Sequence, residues 1–192
     1  MDCDRTPRNS IKLQVHHDPV SLGVIYHQMT NLEERIAISE TIRSNLIQRV
    51  QKLSPGQQVS HDNPGDFSPV EMLEHMALVE GLNASFIESS IMNGAVKKKA
   101  QPNIIYRFVM KRIKGRKRVP TTPQFIPKRN VSFESATENW NSVRNRIIDH
   151  VRKNSEQPTA IKHKFFGRLS AFQLLDLLDA HCEYHDHFFP TE

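Results

Sequence analysis

Residues 67–92 read FSPVEMLEHMALVEGLNASFIESSIM. This stretch carries a complete set of helix-start signals. Ser68 offers a capping hydroxyl, Pro69 takes the first helical position, and Glu71 stands where a capping-box carboxylate reaches back to the Ser68 backbone. Phe67 and Met72 are placed for a hydrophobic staple. Leu78, Val79, Leu82 and Phe86 follow at helical spacing and predict the buried stripe. His75 falls on the same face. An imidazole turned into a core must be hydrogen-bonded, buried neutral or bound to something, because an unsatisfied buried ring is costly.

Working outward, the pattern of capped amphipathic helices repeats. Residues 1–17 are a polar, irregular lead-in. Asp18 and Pro19 read as a cap and first helical residue. Leu22, Ile25, Met29, Leu32 and Ile36 follow, then Ile38, Ile42, Leu46, Val50 and Leu53 with a slight phase shift. These predict one long first helix, broken near residue 30, that stops at Pro55-Gly56. Downstream, Ser132 caps a helix with the stripe Phe133, Ala136, Trp140, Val143, Ile147 and Val151. Ser170 and Gln173 open the last helix, with the stripe Leu174, Leu178, His181, His185 and Phe188.

Residues 94–131 form a long connection between the second and third helices. Ile104, Ile105, Phe108, Val109 and Ile113 predict a short amphipathic helix over 103–114. VPTTPQFIP, residues 119–127, cannot continue it, because its prolines forbid regular helix. No convincing strand is found. The expected fold class is all-α: a four-helix bundle over residues 18–192, with a long crossover between helices two and three.

Composition bounds the function classes. A chain of 192 residues, 38% hydrophobic and 24% charged, is one domain of neither disordered nor membrane type. No apolar run approaches the roughly 18 residues of a membrane span. MDCDRTPRNS, residues 1–10, lacks the apolar segment of a secretory signal. The two cysteines, Cys3 and Cys182, make no disulfide framework, so a cytoplasmic location is expected. Net charge is +5, yet residues 97–118 hold ten Lys/Arg and no Asp/Glu, which leaves the remainder about five units acidic.

DAHCEYHDHFF, residues 179–189, holds three histidines. His181 and His185 are four apart, hence about 40° apart on one helix face. His187 lies about 200° around from His185. An i, i+4 pair of imidazoles is a standard way to present two ligands to one metal ion. By itself the pair suits a metal site or a solvated helix end equally. With His75, three inward histidines on two helices favour metal. Glu183 is one position late for the H-E-x-x-H pattern and turned away, so no catalytic residue is assigned. Cys182 is about 100° from the ligand face and reads as a buried structural thiol. His27 on the first helix could approach the site as an outer-layer or base group. His16, His17, His61, His150 and His163 read as solvated.

FSPVEMLEHMALVEG (residues 67–81) and FFGRLSAFQLLDLLDAHCEYHDHF (residues 165–188) together resemble the DinB-like superfamily of metal-binding four-helix bundles. The aromatic-Ser-Pro start with its following histidine, the G-x-L-S helix start and the terminal H-x-x-x-H carry the likeness. The resemblance implies that His75, His181 and His185 are ligands of a divalent transition metal, nickel or zinc. It also implies a small-molecule substrate, with a low-molecular-weight thiol such as bacillithiol or mycothiol as cosubstrate in metal-dependent transfer or hydrolysis. Relatives of this kind are often homodimers. The rival reading is a non-catalytic binding module. In it Lys111, Arg112, Lys114, Arg116, Lys117 and Arg118 bind anions, on nucleic acid or another anionic surface, with Tyr106 and Phe108 between the cations. Nucleic acid is the less favoured partner, because no named DNA-binding motif occurs.

Overall fold

The computed structural model describes residues 32–61, 66–92, 99–118, 121–153 and 161–189. The predicted start at Asp18-Pro19, and His27 with it, lie outside the described residues. Six α-helices account for most of the rest: α1 (Leu32–Gln51), α2 (Pro55–Gln58), α3 (Pro69–Met92), α4 (Ile104–Lys114), α5 (Phe133–Lys153) and α6 (Ala171–His187). The helix starts follow local chemistry. The Glu71 carboxylate accepts from the Ser68 backbone N–H at 3.0 Å while the Ser68 hydroxyl accepts from the Glu71 N–H at 3.3 Å. Ser170 and Gln173 form the same reciprocal box at α6. Ser132 caps α5 through the Ser135 N–H, and Asn103 caps α4 through the Tyr106 N–H.

α3 packs mainly on α5, and α1 mainly on α6. One apolar cluster, including Leu46, Val50, Leu73, Met76, Trp140 and Cys182, joins all four long helices. A second, around Ile36, Ile87, Ile147, Leu174 and Leu178, lies toward the other end. A third seats α4 on α6 through Tyr106, Met110, Ile113, Leu177 and Tyr184. LLDLLDA, residues 174–180, is apolar on more than one side and serves the second and third clusters, while Cys182 of α6 joins the first.

Several expectations need correction. The α3 stripe is rotated: Leu73, Met76, Ala77, Ala84 and Ile87 are buried, and Leu78, Val79, Leu82 and Phe86 only half so. α5 closes much of the α3 surface, so the inward face is wider than one stripe. Strands exist as well. β1 (Gln101–Pro102), β2 (Ile161–His163) and β3 (Gly167–Leu169) form an antiparallel sheet in the order β1-β3-β2. At two or three residues each they are too short to show alternation. Gly167 is obligatory there, with φ of +84° and a Cβ position only 2.8 Å from the Gln101 carbonyl oxygen.

His163 is buried rather than solvated. Its Nδ1 accepts from the backbone N–H groups of Phe165 and Phe166, each at 3.2 Å. Its Nε2 therefore carries the proton and donates to Asn83 Oδ1 at 2.8 Å. Phe166 stacks on its ring, with centroids 4.4 Å apart. This imidazole latches the β2–β3 hairpin to α3. Among the described residues, no helix is long and apolar enough to cross a membrane.

Candidate metal centre

His75 sits near the start of α3, buried, with Phe67 5.1 Å away between ring centroids. Its Nδ1 is 2.8 Å from the carbonyl oxygen of Phe125. A carbonyl can only accept, so Nδ1 is protonated and the Nε2 lone pair is left available. Phe125 ends the short 3₁₀ turn Pro123–Phe125. The proline-rich stretch thus orients a histidine from outside, as partners of ligating imidazoles commonly do.

His181 and His185 project from successive turns of α6, half-buried. Their Nε2 atoms lie 3.0 Å apart. Ring centroids of His75 are 5.4 Å from His181 and 5.0 Å from His185. One nitrogen from each ring falls within 4.8 Å of the others. His187 is exposed and stacks edge-on with Phe188, and Glu183 faces outward. The structure therefore separates His187 from the other two histidines of its run.

The electrostatics keep these rings neutral. Burial lowers the His75 pKa, partly opposed by its bond to Phe125. Burial, then the neighbouring His185 and His75, holds His181 well below the ordinary value. Burial and His75 bring His185 down to about 3. Neutral imidazoles are the ligand form, so protons compete weakly for these nitrogens near pH 7. The spacing of the His181–His185 pair also fits. Zn–N bonds of about 2.0–2.1 Å at angles between octahedral and tetrahedral place two ligand nitrogens roughly 2.9–3.4 Å apart. Two lone pairs at the observed 3.0 Å repel unless a proton or a cation lies between them. Three neutral imidazole nitrogens are a donor set that suits a borderline divalent ion.

A buried ionic network among the long helices is not expected from the sequence patterns. Arg144, Glu80, Asp179 and Arg35, all buried, join the four long helices. Arg144 Nε donates to Glu80 at 2.7 Å and its Nη2 to the other Glu80 oxygen. Its Nη1 donates to Ser39 at 2.9 Å, and the Ser39 hydroxyl donates to Asp179. Arg35 pairs with Asp179 at 2.5 Å and with Asp176 at 2.8 Å. Burial opposes the Arg144 charge, and Glu80 beside it overcomes that effect. Cys182 lies at the edge of the network, with Sγ 4.0 Å from Arg144 Nη2, and burial pushes its thiol up. The available signal was four charged residues standing within buried helix stripes.

The six basic residues are not drawn into the histidine cluster. Lys111, Lys114, Arg116, Lys117 and Arg118 are exposed, and Arg112 is half-buried. Arg112 donates to the Arg118 carbonyl at 2.8 Å. Arg118 pairs with Asp66 at 3.2 Å and lies over the Phe188 ring at 5.9 Å. No protein-family model matches the chain, and neither a curated protein nor a solved structure does.

Proposed function

We propose that the chain is a DinB-like four-helix bundle that binds a divalent transition metal, nickel or zinc, at His75, His181 and His185 and uses it in transfer or hydrolysis on a small molecule. One observation carries the reading: imidazoles from two helices, over a hundred residues apart in sequence, converge with their nitrogens within 4.8 Å. α1, α3, α5 and α6 serve as the bundle, and the chain from residue 93 to 132 as its crossover. Three neutral ligands leave open positions, the arrangement of catalytic rather than structural sites. When bound, the ion supplies a Lewis acid that eases deprotonation of water or of a thiol cosubstrate.

The protein's own groups divide the remaining work. The Phe125 carbonyl holds His75 in its ligating tautomer. Phe67 beside His75, and Tyr184 with its ring 5.1 Å from His185, flank the cluster with aromatic surface. Cys182 is buried with a raised thiol pKa, so a thiol nucleophile has to come from a cosubstrate.

Elemental analysis of purified protein tests the ligand assignment. Wild type is expected to carry close to one zinc or nickel per chain, and His181→Ala well under a tenth of that. Added metal at about 100 times its Kd should stabilise wild type by about 2.7 kcal/mol. Equal occupancy in both proteins would sink the proposal.

A further inference from the structure

α4 buries one face and, among the described residues, leaves another without a packing partner. Tyr106, Met110 and Ile113 pack toward α6. The opposite side presents Ile104, 81% exposed, Ile105, 50%, and Phe108, 59%. At 100° per residue these three fall within one sector about 100° wide. Arg107 and Lys111 border that sector on one side. Arg112 lies within it, its guanidinium 5.7 Å from the centre of the Phe108 ring. Among the described residues, Arg107, Lys111 and Lys114 enter no ion pair with an acidic group.

The hairpin between β2 and β3 adjoins the start of α4. Asn103, the α4 cap, donates its backbone N–H to Phe166 at 2.9 Å and its side-chain amide to Phe165 at 2.8 Å. The hairpin turn is thus tied to the start of α4. Its tip carries Phe165, 42% exposed with one side of its ring against Phe86 of α3 at 5.7 Å, and the Lys164 ammonium lies 5.7 Å from the ring centre. Residues 161–172 contain no Asp or Glu.

We infer that the outward face of α4, with the adjoining hairpin turn, is a docking surface for an anionic lipid bilayer. Exposed aliphatic and aromatic side chains flanked by cations match the two layers of a membrane interface, acyl boundary and anionic headgroups. Nucleic acid would satisfy the cations but not the isoleucines, which have no π-face for a base to stack on. Large exposed apolar groups at the centre of a basic patch are otherwise a standing liability for aggregation. This surface is separate from the histidine cluster and does not depend on metal.

Flotation of the full chain with phosphatidylcholine vesicles, with and without phosphatidylserine, tests it. Binding is expected to the phosphatidylserine-containing vesicles and not to neutral ones. Each of Arg107→Gln and Lys111→Gln should weaken it roughly fivefold. The I104N/F108S pair should weaken it more than tenfold with circular dichroism unchanged, because both positions are exposed. His181→Ala should bind as wild type. Equal binding to neutral vesicles overturns the inference, as does full binding by I104N/F108S. So does an absence of binding to the phosphatidylserine-containing vesicles, with or without retention on duplex RNA, or a dimer in light scattering that I104N/F108S abolishes.

Discussion

The histidine end of α6 and the outward face of α4 are both dense in chemistry-bearing side chains, and they are assembled in opposite ways. The α4 face is contiguous: its cations and apolar residues lie within a dozen positions and face solvent. The histidine end is gathered from three separate segments, α3, the Pro123–Phe125 turn and α6, and is buried enough to hold its rings neutral. A charge on α4 is hydrated and costs little to add or remove. A charge in the interior needs a built partner, and Arg144 with Glu80 shows the requirement met.

Deleting a cation in each region measures that difference directly. Arg144→Met leaves Glu80 buried without its partner and should cost about 3–5 kcal/mol in urea unfolding. Replacing both Arg144 and Glu80 by Met should recover most of that loss. A single-variant loss under about 1 kcal/mol would mean that the pair is hydrated in solution.

Acid probes the interior from another direction. Burial brings the His163 pKa from 6.5 down to about 4. The folded chain therefore binds fewer protons than the unfolded chain between those values. Stability is whole above about pH 6.5 and falls as the pH drops toward 4, by up to roughly 3 kcal/mol. His163→Gln should flatten that part of the stability profile, and an unchanged acid slope would remove His163 as its cause.

The smallest effect belongs to α4. Lys111→Gln should change unfolding free energy by less than about 0.5 kcal/mol, since an exposed charge that enters no ion pair among the described residues contributes little to folding. A larger loss would place Lys111 in the structural framework and remove the contrast.

Helix starts were readable because their chemistry is local. Ser68 with Glu71, and Ser170 with Gln173, complete their hydrogen bonds within four residues, so composition and order suffice. The shared face of His181 and His185 was readable for the same reason, since helix pitch alone sets it. Apolar periodicity was less informative where a helix is apolar on two sides. On α4 the pattern did not tell Ile104, Ile105 and Phe108, which face out, from Tyr106, Met110 and Ile113, which face α6. Hydrophobicity is non-directional, and the partner surface chooses the face.

From residue order alone come the caps, the helical class of most of the described chain, and the presence of three histidines on predicted inward faces. Tertiary structure decided that His75 meets His181 and His185, that the Phe125 carbonyl 50 residues away sets its tautomer, and that Arg144 finds Glu80 across 64 residues. The reason is range. A cap closes inside one turn of chain, whereas a buried imidazole or guanidinium is satisfied only by groups that packing of separate helices brings within about 3 Å.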